Sequence, residues 1–175
     1  MEKKKALIMI DVQKEYITDG RPFCIETIGP SLEKAKEALE HARDEGWTIL
    51  HVRHLQEGSI FHPDSEYSQF VSGFEPLPDE HSFIKGDFSC FSSNEFKEFM
   101  ESLKGHDIYI AGYGSTMCCL ATIIDGYHRG FTFTFIHDAS SSKRSDQFDE
   151  VTRHQHVIDH LSTFAQMVTT AEVKK

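Results

Sequence analysis

Residues 107–122 read DIYIAGYGSTMCCLAT and pass from one kind of local structure to another. An apolar run from Ile108 to Ala111 leads through a turn of small residues into Met117–His128, where apolar residues recur at helical spacing. This order predicts a strand, a tight turn and a helix, with Cys118 in the first helical turn. The unpaired N–H groups and positive dipole end of a helix favour the thiolate, which is the nucleophilic form of cysteine. From this stretch alone, Cys118 could instead be a small residue that packs in the core.

Strand and helix patterns alternate along the rest of the chain. Strands are expected at residues 5–10, 48–53, 82–85, 107–111, 131–136 and 166–169, and helices at 31–45, 92–105, 117–130 and 145–164. A capping box formed by Ser92 and Glu95 is expected to open the second helix, and Ser145 or Asp146 the last one. The alternation predicts an α/β fold in three layers, with a doubly wound, mostly parallel six-stranded sheet between helices. One domain is expected over residues 1–175.

Charge and composition exclude several classes of partner. The 175 residues include 18 basic and 28 acidic side chains, giving a formal net charge of −10, and the basic residues do not cluster as nucleic-acid binding requires. No apolar run approaches the length of a membrane span, and no signal peptide is expected. An anionic membrane is not an expected partner either. Four cysteines, two of them adjacent, do not resemble a disulfide framework, so a cytoplasmic location is expected.

Three chemically capable residues follow predicted strands. Asp11 follows the first strand, Lys85 ends the third, and Cys118 lies just beyond the fourth. Parallel strands end at the same edge of a sheet, where ligands bind in folds of this class. A nucleophile, a base and a cation at that edge form a catalytic constellation. Taken singly, Asp11 could be a turn residue and Lys85 a solvated surface charge.

Four segments of the chain carry a family resemblance, and together they span nearly its whole length. They are Leu7–Gln13 with its Asp-x-Gln, Ile84-Lys85 followed by Phe88-Ser89-Cys90-Phe91, Ala111–Cys118 followed by Thr122, and His137-Asp138-Ala139. No single motif is very specific, but their order and spacing agree. In these segments the chain resembles the isochorismatase-like family of cysteine hydrolases, and the resemblance implies that family's Rossmann-like fold.

The resemblance also implies roles for matching residues. Cys118, six positions after Gly112, would be the nucleophile. Asp11 would be the general base and Lys85 the third member of the triad. Cys119 falls where the family has an apolar residue and is therefore expected to pack in the core.

The same resemblance implies the chemistry of the turn. The family's cis peptide bond would join Tyr113 and Gly114, and a backbone N–H of Gly114 or Cys118 would hold the oxyanion. Asp11 would take the thiol proton, return it to the leaving amine and then activate water against the thioester.

No metal or other cofactor is expected. Some members of the family, the nicotinamidases, bind a metal through an Asp-x-His element and two further histidines. Within and after its second strand this chain has His51, His54 and His62, but it has no Asp-x-His. The resemblance therefore implies a metal-independent enzyme and argues against nicotinamide as its substrate.

Substrate specificity is the part that the sequence determines least. Residues 54–81 form a long predicted loop, which is typical of a functional segment. The loops after the first two strands are expected to line a pocket for a small-molecule substrate. The candidate residues, each of which could instead be a core or interface aromatic, are Tyr16, Phe23, His54, Phe61 and Phe91. The chain has 14 phenylalanines, which favours a homo-oligomer.

Three functions remain open at this point. The first is hydrolysis of an amide-type C–N bond in a small molecule. The second is hydrolysis of a vinyl ether, as in isochorismatases proper, although these enzymes generally do without the cysteine. The third is a non-hydrolytic thiol redox or binding role, although Cys118 and Cys119 lack Cys-x-x-Cys spacing.

Overall fold

A computed structural model describes residues 3–175, in which six strands form one central sheet. The strands are β1 Lys5–Ile10, β2 Thr48–His54, β3 His81–Lys85, β4 Asp107–Tyr113, β5 Phe133–Ser141 and β6 Gln166–Val168. The helices are α1 Gly29–Asp44, α2 Asn94–Glu101, α3 Leu120–His128, α4 Glu150–Leu161 and α5 Thr170–Val173. The strand order is β3-β2-β1-β4-β5-β6, and every pairing between these strands is parallel. The α/β, doubly wound fold is thereby confirmed.

The central strand β1 shows why the fold has three layers. It is apolar almost throughout because both of its faces are covered, as in other parallel sheets. Ala6, Ile8 and Ile10 pack on one side with apolar residues of α2, α3 and α4. Leu7 and Met9 pack on the other side against α1. Within residues 3–175, no helix combines the length and hydrophobicity needed to cross a membrane.

The predicted cap residue of α2 was wrong by one position. The side chain of Ser93, not Ser92, accepts a hydrogen bond from the backbone N–H of Phe96, and the helix begins at Asn94. Ser92 instead ends a short 3-10 turn that begins at Cys90. Two successive serines both fit a capping pattern, and the preceding turn decides which one caps the helix.

The last long helix and the fifth strand also differ from their predicted bounds. Asp149 caps α4, which begins at Glu150, because Ser145 forms a local turn with Phe148 and cannot open the helix. β5 extends to Ser141 because the chain resumes pairing with β4 after a shift in register between Ile110 and Gly112. These bounds depend on local turns and on pairing between strands, which the spacing of apolar residues does not reveal.

Gly112 allows β1 and β4 to approach closely at the end of the sheet. Its φ is +119°, and a Cβ at this position would lie 2.0 Å from the backbone oxygen of Ile10. Glycine is therefore required both by conformation and by space. The topology reverses between β1 and β4, which is the place where doubly wound folds bind ligands.

Candidate active site

The structure brings together the three residues that follow predicted strands. Lys85 Nζ lies 3.0 Å from Asp11 Oδ2 and 3.3 Å from Cys118 Sγ. All three side chains are buried at the carboxyl edge of the sheet. They come from the ends of β1 and β3 and from the turn after β4, so parallel strand direction alone places them at one edge.

One oxygen of the Asp11 carboxylate is open. Lys85 Nζ lies 3.0 Å from Asp11 Oδ2, and it also donates to His54 Nδ1 at 3.1 Å, to the backbone oxygen of Asp87 at 2.9 Å and to Cys118 Sγ at 3.3 Å. The ammonium group is therefore shared among four acceptors. Asp11 Oδ1 has no hydrogen-bond partner among the described residues. A buried carboxylate with free lone pairs is chemically able to take up a proton.

Lys85 is held in its charged form. Burial by itself disfavours the ammonium, but the negative charge of Asp11 and the neighbouring Cys118 outweigh it and raise the pKa of Lys85 above its usual value. The site therefore contains a fixed positive charge beside the thiol.

Burial favours the thiol form of Cys118. It raises the pKa of the Cys118 thiol well above its usual value, and the charge of Asp11 raises it further, while Lys85 acts in the opposite direction. Cys118 lies in a π-helical turn, Ser115–Cys119, and α3 begins only at Leu120. Cys118 thus rests as a thiol next to an open carboxylate.

His54 is positioned by Gln13, for which the sequence analysis proposed no role. The Gln13 side-chain amide donates to the backbone oxygen of His54 and accepts from its backbone N–H, each at 3.0 Å. Because His54 Nδ1 accepts from Lys85, its hydrogen resides on Nε2. Burial and the charge of Lys85 lower the pKa of His54, so its ring is neutral. The Asp-x-Gln motif was the available sequence signal for this contact.

The turn before Cys118 contains a cis peptide bond between Tyr113 and Gly114. The backbone oxygen of Gly114 accepts from the N–H groups of Met117 and Cys119, at 3.1 and 3.2 Å. Cys119 is fully buried in the core, with its Sγ 4.0 Å from the hydroxyl of Ser140. The two adjacent cysteines therefore lie in different environments, one at the site and one in the core.

A second histidine ties the turn to α4. His154 Nε2 lies 2.8 Å from the backbone oxygen of His137, so it carries the hydrogen and Nδ1 is the acceptor. The Ser115 hydroxyl therefore donates to His154 Nδ1, at 2.8 Å. Burial lowers the pKa of His154, which keeps this acceptor available. Ser115 and His154 are 39 positions apart in the sequence, and no local pattern predicts their contact.

A cavity of about 470 Å³ opens onto Cys118. Four of the five candidate pocket residues line it: Tyr16, Phe23, His54 and Phe61. The structure does not bring Phe91 to the cavity. The ring of Phe91 is buried in the core instead, against Phe96 and Phe131. Its 3-10 turn directs this side chain inward.

The residues at the site do not fit a metal ion. Asp11, His54 and Cys118 offer ligand atoms that all lie within 4.8 Å of one another. However, Lys85 Nζ is already within 3.3 Å of one atom of each of these three side chains, namely Asp11 Oδ2, His54 Nδ1 and Cys118 Sγ. An ion held at a ligand distance of about 2.0–2.3 Å would be in contact with this ammonium group. Like charges at that separation repel strongly in a buried site.

Comparison with known proteins gives a match over almost the whole chain. The isochorismatase domain model matches residues 5–172, which include all six strands. YrdC of Bacillus subtilis, an uncharacterized isochorismatase family protein, is 27% identical over 181 residues, which cover 99% of this chain and 96% of that protein. Maleamate amidohydrolase of Pseudomonas putida is 22% identical, with coverages of 82% and 75%. The crystal structure of an isochorismatase from Pseudomonas putida KT2440 superimposes with a TM-score of 0.87 at 27% identity, covering 96% and 89% of the two chains.

Proposed function

The chain belongs to the isochorismatase family of hydrolases, which includes amide hydrolases, and we propose that it cleaves an amide-type C–N bond of a small molecule through a Cys118 thioester. One observation carries the proposal. A protonated, buried thiol lies beside a carboxylate that is held by Lys85 through Oδ2 and whose Oδ1 has no hydrogen-bond partner among the described residues. This is the arrangement that a nucleophile and its general base require.

The first half of the reaction forms the thioester. Asp11 takes the thiol proton as Cys118 Sγ attacks the carbonyl carbon of the amide. The tetrahedral intermediate then expels the amine, which receives the proton from Asp11. In the second half, Asp11 takes a proton from water, the hydroxide attacks the thioester, and the thiolate leaves and is reprotonated. A positioned acid–base group typically contributes about 10²–10⁴-fold to the rate.

Lys85 supplies the fixed positive charge for this sequence. Its ammonium is 3.3 Å from Cys118 Sγ, so it stabilises the thiolate at the moment the proton leaves. The same ammonium is the reason to propose a metal-independent enzyme, since it contacts all three side chains that could offer metal ligands at the site. We assign the oxyanion to a backbone N–H of Gly114 or Cys118. Donors of this kind are worth about 2.7–4 kcal/mol of barrier.

The proposal is tested by ammonia release from a panel of primary amides. Cys118→Ala is expected to lower the release by more than about 10⁴-fold, because the nucleophile is lost. Cys119→Ala is the matched control: it removes the adjacent thiol from the core and is expected to leave a folded, active enzyme. Intact-mass measurement after acid quench should show an acyl adduct on the native chain and none on Cys118→Ala. A chelator should leave the rate unchanged.

Other outcomes identify the alternatives. Ammonia release that survives Cys118→Ala would contradict the thioester route, whereas hydrolysis of a vinyl ether by Cys118→Ala, without ammonia release from any amide, would favour the second function. Folded protein that releases no ammonia from any amide would contradict amide hydrolysis itself.

A further inference from the structure

The cavity beside Cys118 has aromatic walls. The ring of Phe61 is central: its centroid lies 5.8 Å from that of Tyr16, 5.6 Å from Phe23 and 5.0 Å from His54. Ile60, Met117 and Phe88 add further apolar surface to the lining. Such walls stabilise a ligand mainly by removing its apolar surface from water.

Positive charge is missing from these walls. Among the residues that the structure describes, no lysine or arginine lines the cavity. Lys85 lies behind the wall with its ammonium group in contact with four protein acceptors. Lys143 Nζ lies over the ring of Phe23, 5.2 Å from its centroid, but Lys143 is not part of the lining. The acidic side chain in the lining is Asp87, whose Oδ1 accepts from the backbone N–H of Phe88.

The remaining titratable groups of the wall are neutral. Burial raises the pKa of Tyr16 well above its usual value, and Cys118 and Asp11 raise it further, so the phenol keeps its proton. His54 offers a neutral ring whose Nδ1 is already occupied by Lys85. A ligand therefore meets rings, hydrogen-bonding groups and one carboxylate.

We propose that this site takes uncharged amides with an apolar, aromatic body and rejects amides that carry a carboxylate. The inference rests on the proposed function and adds its substrate class. A carboxylate in the cavity would lose hydration without gaining a cation, and it would face Asp87. Maleamate amidohydrolase, a relative of this chain, is named for an amide that does carry a carboxylate. The two proteins therefore differ in the charge of the substrate that they accept.

Binding to a Cys118→Ser variant tests the inference without turnover. The probes are 4-methylbenzamide and 4-carbamoylbenzoate, which differ by a methyl group in place of a carboxylate, measured by calorimetry. We expect the methyl compound to bind at least about 100-fold more tightly, since leaving a buried charge unpaired carries a large penalty. Equal or tighter binding of the carboxylate would overturn the inference, as would failure of both compounds to bind. If Lys143→Gln then abolished the carboxylate binding, Lys143 would be the overlooked cation.

A gain-of-function variant gives a second, independent measurement. Gln56 lines the cavity and is exposed, so Gln56→Arg adds a cation without emptying the core. It should tighten the binding of 4-carbamoylbenzoate by at least about tenfold, whereas the uncharged control Gln56→Met should not. An unchanged affinity in Gln56→Arg would argue against charge as the basis of selection.

Turnover by the native enzyme is measured separately. If the native enzyme binds 4-methylbenzamide but releases no ammonia, amide hydrolysis is contradicted while the binding preference stands.

Discussion

β3 separates a half-buried group of charged side chains at its amino end from a buried group at its carboxyl end, and the two groups serve different purposes. At its amino end, the Glu80 carboxylate accepts from Arg43 Nε at 2.6 Å and from the backbone N–H of Leu77 at 2.9 Å, and lies 2.7 Å from His51 Nε2. At its carboxyl end, the Asp11 carboxylate contacts Lys85 through Oδ2, and its Oδ1 has no hydrogen-bond partner among the described residues. A carboxylate with every oxygen hydrogen-bonded stabilises the fold, whereas one with a free oxygen is available for chemistry.

The pKa values show the same contrast. Burial alone would raise the pKa of Glu80, but the hydrogen bonds from Arg43, Leu77 and His51 prevail and lower it to about 2. At the other end of β3, burial and the charge of Asp11 raise the pKa of the Cys118 thiol. The amino-end group is thus fixed in its ionised form, while the carboxyl-end group holds a proton that can be moved.

The largest expected effect is on catalysis by Asp11→Asn. Asparagine keeps the shape of the side chain but cannot accept the thiol proton, so ammonia release should fall by about 10²–10⁴-fold. The substitution also removes the charge that pairs with the buried Lys85 ammonium, so the unfolding free energy should fall as well, by about 3 kcal/mol. Steady-state kinetics and denaturant titration measure the two quantities. If Asp11→Asn kept the turnover of the native enzyme, the group at the carboxyl end of β3 would not be catalytic and would no longer differ in role from the group at the amino end.

The next effect in size is on stability, in Glu80→Gln. The substitution leaves the Arg43 guanidinium without its carboxylate and should lower the unfolding free energy by about 3 kcal/mol. Ammonia release should be kept, since Glu80 lies at the opposite end of β3 from Cys118. Urea denaturation provides the first measurement and the amide assay the second. A variant of unchanged stability but impaired turnover would reverse the roles that we assign.

A smaller effect is expected from acid. The pKa of Glu80 is lowered from an ordinary value of 4.5 to about 2 in the folded state, so its stabilising contribution is complete above pH 4.5 and is lost as the pH falls through about 2. By pH 3 the loss should reach about 2 kcal/mol. Other carboxylates titrate in the same range, so the test is the difference between the native chain and Glu80→Gln. That difference should shrink between pH 5 and pH 3, and a constant gap would contradict the assignment.

Local pattern sufficed for much of the fold and of the candidate site. The apolar run of β1 and the strand–turn–helix pattern around Cys118 identify parallel strands, and parallel strands end at one edge. Asp11, Lys85 and Cys118 could therefore be placed together without coordinates. The cap residues of α2 and α4 could not be predicted in this way. Ser92, Ser93 and Ser145 satisfy similar local patterns, and the surrounding turns decide between them.

The sequence by itself thus determined which residues lie at the ends of the strands, since strand periodicity and chain direction are local properties. Protonation states and side-chain partners required the tertiary structure. The thiol form of Cys118, the open carboxylate of Asp11 and the inward ring of Phe91 depend on burial and on groups supplied by distant segments. A pKa and a hydrogen-bond partner are set by everything within a few ångströms in space, and that neighbourhood exists only after the chain has folded.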